Sequence, residues 1–191
     1  CRVLAMSGNT DPYQPVERKL KLARSILEVC IEFQHPIVIV TKSTGVLRDL
    51  NLLKELSVNN LVRVLVSVTS LNGLLSRRME PRAASPRARL QIIETLNNNG
   101  IPTGVLLSPI IPGLNDSELE SILESVSEVG ADHVRYLLLQ LPLELKELFG
   151  EWLQEYYPER ASRIITLIRG TRGGALYESN FGTRMRGRGP I

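Results

Sequence analysis

Cysteine is nearly missing from this sequence: Cys1 and Cys30 are the only two in 191 residues. Two thiols exclude a disulfide framework, and neither they nor the two histidines, His35 and His133, have the spacing of a zinc or iron–sulfur site. Cys30 sits in an apolar helical stretch and reads as a small buried hydrophobe. Aromatic residues are only 5% of the chain, too few to interleave basic segments with bases stacked on rings. No run approaches the roughly 18 apolar residues that span a bilayer, and no charged, apolar, small-residue series marks a signal peptide. The expectation is a cytoplasmic protein with no membrane partner.

Hydrophobic residues are 43% and charged residues 23%, the values of an ordinary globular domain able to bury a core. The sequence opens on Cys1 rather than methionine and runs at once into the buried-strand pattern Val3–Ser7, so the start reads as a cut. Positive charge is unevenly placed. Residues 160–191 carry seven arginines (Arg160, Arg163, Arg169, Arg172, Arg184, Arg186, Arg188) against Glu178 alone. A second cluster, Arg77, Arg78, Arg82, Arg87 and Arg89, is opposed only by Glu80. Either group has the charge to meet phosphates.

Apolar runs of strand length recur at Val3–Ser7, Ile37–Thr41, Val62–Val68, Thr103–Leu107 and Val134–Leu139, each rich in Val, Ile or Leu as strands buried on both faces are. Amphipathic segments separate them. Pro15 opens a helix striped by Leu20, Leu22, Ile26, Leu27 and Cys30; Leu47–Leu56 and Pro86–Asn98 follow, the latter stopping at Gly100. Ser117 and Glu120 have capping-box spacing ahead of a helix that stops at Gly130. The alternation predicts β/α units around a parallel sheet over residues 1–140. Residues 141–191 read as a helical and basic extension, with a helix over Glu144–Glu155, an extra strand at Ile164–Ile168 and irregular chain after Gly170. Spacing leaves a doubly wound sheet and a partial barrel both open; no GxGxxG follows the first strand, which disfavours a dinucleotide fold.

In such folds the site lies at the carboxyl ends of the strands. Gly8-Asn9-Thr10-Asp11-Pro12 ends the first strand, Thr41-Lys42-Ser43 the second, and Ser67-Val68-Thr69-Ser70 the third. A carboxylate, an ammonium and hydroxyls converging on one rim suit a zwitterionic ligand: Asp11 or Thr10 for its amine, Lys42 for its carboxylate, Ser67 for either.

Five longer stretches carry a resemblance: GNTDPYQPVER, the TKS strand end, MEPRAASPRARL, PIIPGLND and SNFGTRMRGRGP. Together they resemble a branch of the radical S-adenosylmethionine proteins related to spore photoproduct lyase and often labelled photolyase-like DNA repair. The resemblance implies a partial parallel (β/α)6 barrel that lacks its first β/α unit, the five strands here being the second to sixth. It implies S-adenosylmethionine as cofactor, with Thr10 and Asp11 at the amino group, Lys42 and Ser67 at the methionine moiety, and Arg82 at the carboxylate or a substrate phosphate. The Pro109–Gly113 segment would pack the adenine. The family's CxxxCxxC motif has no counterpart in these 191 residues. The [4Fe–4S] cluster is therefore expected in the intact protein only, and this chain alone is expected to be inactive. Kinship with the lyase and the arginine clusters point to a nucleic-acid substrate. The alternative is a non-enzymatic module that binds phosphate or nucleic acid through its arginines.

Overall fold

The structure is a computed structural model and describes residues 2–179. Strands β1 (Leu4–Met6), β2 (Ile37–Thr41), β3 (Val62–Ser67), β4 (Thr103–Ile110) and β5 (His133–Leu138) form one sheet in the order β1-β2-β3-β4-β5. Leu4 stands opposite Ile37, Ile37 opposite Val62, and Val64 opposite Thr103, all in parallel register. A doubly wound sheet reverses its strand order at a switch point; this order runs without reversal, as successive β/α units of a barrel do. The α/β expectation is met, and the choice left open by spacing falls to a partial barrel.

Helices α1 (Glu17–Leu20) and α2 (Leu22–Glu32) follow β1, and α3 (Leu50–Val58) follows β2 after a 3-10 segment, Thr44–Asp49. Helices α4 (Gly73–Met79) and α5 (Pro86–Asn98) follow β3, and α6 (Leu119–Glu128) follows β4. The helices bury Leu27, Leu53, Leu56, Ile92, Ile93 and Leu96, each at most 1% exposed, beside the fully buried Ile39, Val64 and Val66 of the sheet. Each such side chain stabilises the fold by about 1.5–3 kcal/mol relative to exposure.

Local chemistry sets the boundaries. Ser85 Oγ accepts from Ala88 N at 3.3 Å and Pro86 occupies the first turn of α5, where its missing N–H costs nothing. Helix α4 is absent from the sequence expectation because its seven residues are too short to show a period; Asn72 Oδ1 fixes its start by accepting from Leu74 N and Leu75 N. The Ser117–Glu120 spacing gives a 3-10 turn, Asp116–Glu118, and the α-helix begins only at Leu119. Gly104 is required by close approach: a Cβ there would lie 2.7 Å from the His133 carbonyl oxygen.

The chain divides into two compact units, residues 1–106 with 120–135, and residues 107–119 with 136 onward. In the second unit, α7 (Leu145–Tyr156) packs on α8 (Pro158–Gly170). The extra strand expected at Ile164–Ile168 is corrected here: these residues are helical. Ala161, Ile164 and Ile168 are buried at a spacing of three and four while Arg163 and Arg169 face water, a period of 3.6 that five consecutive residues could not reveal. Asn115, in the PIIPGLND stretch, folds its own loop, donating to Pro109 O at 3.0 Å and accepting from Ile111 N at 2.7 Å. Arg184, Arg186 and Arg188 lie outside the described residues. No helix among the described residues is long and apolar enough to cross a membrane.

Candidate functional site

The cleft and the two ion networks beside it belong to the first unit. The loop after β1 is drawn onto the end of β2 by Asp11. Its Oδ1 accepts from Tyr13 N at 2.8 Å, closing an Asx turn, and its Oδ2 accepts from Lys42 N at 2.7 Å. The Thr41 hydroxyl donates to both oxygens, at 2.9 and 3.0 Å. All three donors, two backbone N–H groups and one hydroxyl, are neutral. Thr10 is exposed, and its hydroxyl accepts from Gln14 Nε2 at 2.7 Å.

A first buried ion network underlies this loop. Glu17, in the opening turn of α1, turns its carboxylate to the start of α2, accepting from Leu22 N and Ala23 N at 3.0 Å each. It also accepts from Arg48 Nη2 at 3.1 Å. Asp49 is wholly buried and receives Arg24 Nη1 at 3.1 Å and Arg48 Nη2 at 3.0 Å. The Arg48 guanidinium lies 5.7 Å from the centre of the Tyr13 ring, close enough for a cation–π contact. The Tyr13 hydroxyl is buried and makes no hydrogen bond; the Asp49 carboxylate lies near it without hydrogen-bond geometry. Burial first, and the Asp49 charge second, push the phenol well above its ordinary range.

A second network joins the ends of β2 and β3 to the linker between α4 and α5. The Lys42 ammonium pairs with Glu80 Oε1, and Arg89 Nη2 reaches Glu80 Oε2 at 2.5 Å. The Thr69 hydroxyl donates to Glu80 Oε1 at 3.2 Å. Arg89 is 1% exposed, and it donates from Nε to Ala84 O at 2.8 Å and from Nη1 to Ser67 O at 3.0 Å. Ala84 N in turn donates to Lys42 O at 3.2 Å, holding the linker beside β2. Burial acts to raise the Glu80 carboxyl, but the Lys42 and Arg89 cations outweigh it and leave it below the usual carboxylate range.

Between the two networks opens a cleft of about 520 Å³. Thr10, Asp11, Lys42 and Arg82, four of the five residues singled out from sequence, line it together with Tyr13 and Arg48. Ser67 is buried at the end of β3, 2% exposed, and is not among the lining residues. Arg82 is exposed on the linker. The arginine clusters are corrected in part: Arg89 is buried in an ion pair, and Arg172, in the second unit, is 6% exposed and donates to Leu139 O at 2.6 Å. Neither is a phosphate ligand on a free surface. Sequence reading missed Glu17, Arg48, Asp49 and Glu80. For Arg89, and through it Glu80, a signal existed: the arginine falls on the stripe of Ile92, Ile93 and Leu96, where a charge needs a partner.

A strand order without reversal defines a barrel-type β/α protein, with a charged cleft at the carboxyl ends of its first strands. The chain belongs to the radical SAM superfamily, whose family model matches residues 1–126. It is 33% identical over 168 residues to an uncharacterized protein of Mycobacterium tuberculosis, covering 87% of this chain and 49% of that protein. It is 34% identical over 154 residues to an uncharacterized protein of Methanocaldococcus jannaschii, covering 81% and 56%. A Pseudomonas phage M6 protein named Radical SAM Nalpha-GlyT isomerase is 23% identical over 171 residues, covering 88% and 35%. The chain spans about half the length of the Mycobacterium and Methanocaldococcus relatives.

Members of this superfamily generally use S-adenosylmethionine with a [4Fe–4S] cluster. The residues present do not fit the cluster. Among the described residues no group of three or more His, Cys, Asp or Glu could hold a metal, and Cys30 is buried in α2 with its thiol pushed up by burial. The donor set of the cleft does fit the amino-acid end of S-adenosylmethionine, offering a carboxylate for an amine and an ammonium for a carboxylate.

Proposed function

We propose that this chain forms the S-adenosylmethionine-holding part of a radical enzyme in the branch related to spore photoproduct lyase. Asp11 and Thr10 take the ligand's amino group, Lys42 its carboxylate, and Arg82 meets the carboxylate or a substrate phosphate, while Ser67, buried and off the cleft lining, takes no ligand contact in this reading. The observation that carries this reading is that side chains of opposite charge, Asp11 and Lys42, line one cleft at adjacent strand ends. Bound S-adenosylmethionine supplies a sulfonium that one-electron reduction cleaves to a carbon radical. This chain's own residues orient the ligand and exclude water from one side of it.

The sequence has no CxxxCxxC motif and the described residues supply no ligand set for the electron-donating cluster, so residues 1–191 alone bind the ligand without cleaving it. Calorimetry with S-adenosylhomocysteine is expected to show binding, and iron analysis after anaerobic reconstitution is expected to show no cluster. Absence of binding sinks the reading of the cleft; a cluster with its visible absorption overturns the prediction of inactivity.

For the whole protein a nucleic acid is the proposed substrate, supported by the exposed Arg77, Arg82 and Arg87 beside the cleft-lining linker. The same arginines support the second reading, a phosphate- or nucleic-acid-binding module without catalysis. Steep salt dependence of DNA binding by this chain is expected under both; a salt-independent or absent signal removes both. Competition by S-adenosylhomocysteine separates them, because only a shared cleft couples the two ligands.

A further inference from the structure

Glu80 has no part in the ligand contacts above, yet it accepts from three side chains: Lys42, Thr69 and Arg89. The three charged groups do not balance, since two cations face one carboxylate. Arg89 is 1% exposed and fully occupied by Glu80, Ser67 O and Ala84 O, so it cannot reach a ligand. Its charge is spent holding Glu80. Lys42 is different: its side chain is 32% exposed and it lines the cleft. A lysine carries four rotatable bonds and a compact, strongly hydrated charge, so left alone it samples many positions and loses that freedom on binding. Glu80 removes the freedom in advance. It anchors one of the three ammonium donors and leaves the others for a ligand, while the net positive charge of the triad still favours an anion.

We propose that Glu80 is a positioning residue which, backed by the buried Arg89, fixes the Lys42 ammonium at the cleft and so selects ligands that carry a carboxylate. The proposal rests on the reading of this cleft as the S-adenosylmethionine site. The test uses this chain with two probes that share the adenosyl thioether: S-adenosylhomocysteine, which has the amino-acid carboxylate, and 5′-methylthioadenosine, which lacks it. By calorimetry, Glu80→Gln is expected to weaken S-adenosylhomocysteine roughly tenfold, the scale of one lost charge-assisted contact, and to leave 5′-methylthioadenosine unchanged. In a Lys42→Met background the same change is expected to cost nothing further, because Glu80 acts through Lys42. Equal weakening of both probes, or a full additional loss beside Lys42→Met, overturns the proposal.

Glu80→Asp keeps the charge against Arg89 but shortens the reach, which guards against misfolding of the glutamine variant. It is expected to weaken S-adenosylhomocysteine as Glu80→Gln does, and wild-type affinity would refute the positioning role. A ligand-free measurement separates this proposal from the reading beneath it. Acylation of Lys42, mapped by peptide mass spectrometry, is expected to run several-fold faster in Glu80→Gln than in wild type as the amine is released. An unchanged rate overturns the proposal. If wild type binds neither probe, the cofactor reading fails while the labelling rates still decide whether Glu80 fixes Lys42.

Discussion

The two ion networks beside the cleft use the same residue types in different proportions. In the first, the buried Glu17 and Asp49 face Arg24 and Arg48, and Arg24 also meets Glu28, half in solvent, on its outer side. Apart from the solvent-screened Glu28, the two buried carboxylates match the two guanidiniums in charge, and they also tie down backbone, with Glu17 occupying the first two N–H groups of α2. In the second, Glu80 faces Lys42 and Arg89, and one positive charge is left over at the cleft. A network that closes on itself stabilises the fold; a network left unbalanced toward a cavity retains an attraction for something that is not part of the chain. Burial alone does not distinguish them, since Asp49 and Arg89 are both at most 1% exposed.

Breaking the balanced network is expected to have the largest effect on stability. Asp49→Ala leaves two arginines without their shared partner and should cost about 3 kcal/mol, the lower part of the range for a broken buried pair because both guanidiniums are about a third exposed. Urea denaturation checks this. Arg89→Met keeps the apolar stem but takes the guanidinium from Ser67 O and Ala84 O and leaves Glu80 to Lys42 and Thr69, with an expected loss of about 2 kcal/mol. A loss from Arg89→Met larger than that from Asp49→Ala would break the comparison.

Glu80→Gln sharpens it through pH. The folded state holds this carboxyl below its ordinary range, so its contribution is present above the unfolded carboxyl's titration near pH ~4.3 and fades as the pH falls through the lower folded value. The difference in urea midpoint between wild type and Glu80→Gln is expected to be widest at neutral pH and to close in acid. A pH-independent difference would assign Glu80 a shape role only. The smallest effect belongs to Tyr13→Phe, which removes a buried hydroxyl that makes no hydrogen bond. It is expected to leave stability at pH 7 unchanged or raise it by up to about 1 kcal/mol. It should also remove the loss of stability that wild type suffers above pH ~10, where the unfolded phenol ionises and the buried one does not.

The strands were readable in the sequence as apolar runs of strand length: Ile37–Thr41 has the expected bounds, and the others shift by one to three residues. The expected burial on both faces fails at the two ends of the strand order, where β1 and β5 are largely exposed. The cleft was readable through position, since residues after such runs must sit at strand ends. Its supporting charges were not. Glu80 lies 38 positions from Lys42, and Asp49 lies 32 from Glu17; no local period links groups that meet only when β1 pairs with β2 and β2 with β3. Helix α8 was misread because an apolar run inside a helix and a short buried strand look alike over five residues.

The hydrogen bond from Ala84 N to the Lys42 carbonyl also governs how this chain meets a protease. Arg82 is exposed and followed by Ala83, a peptide bond that trypsin would recognise, but cleavage needs several residues on either side to lift away and extend. Here the stretch is pinned on both flanks, by Glu80 to Lys42 and by Ala84 to the end of β2. Nicking at Arg82 therefore waits on release of the lysine, and the rate at which this one bond is cut becomes a clock for how tightly the rim of the cleft is held.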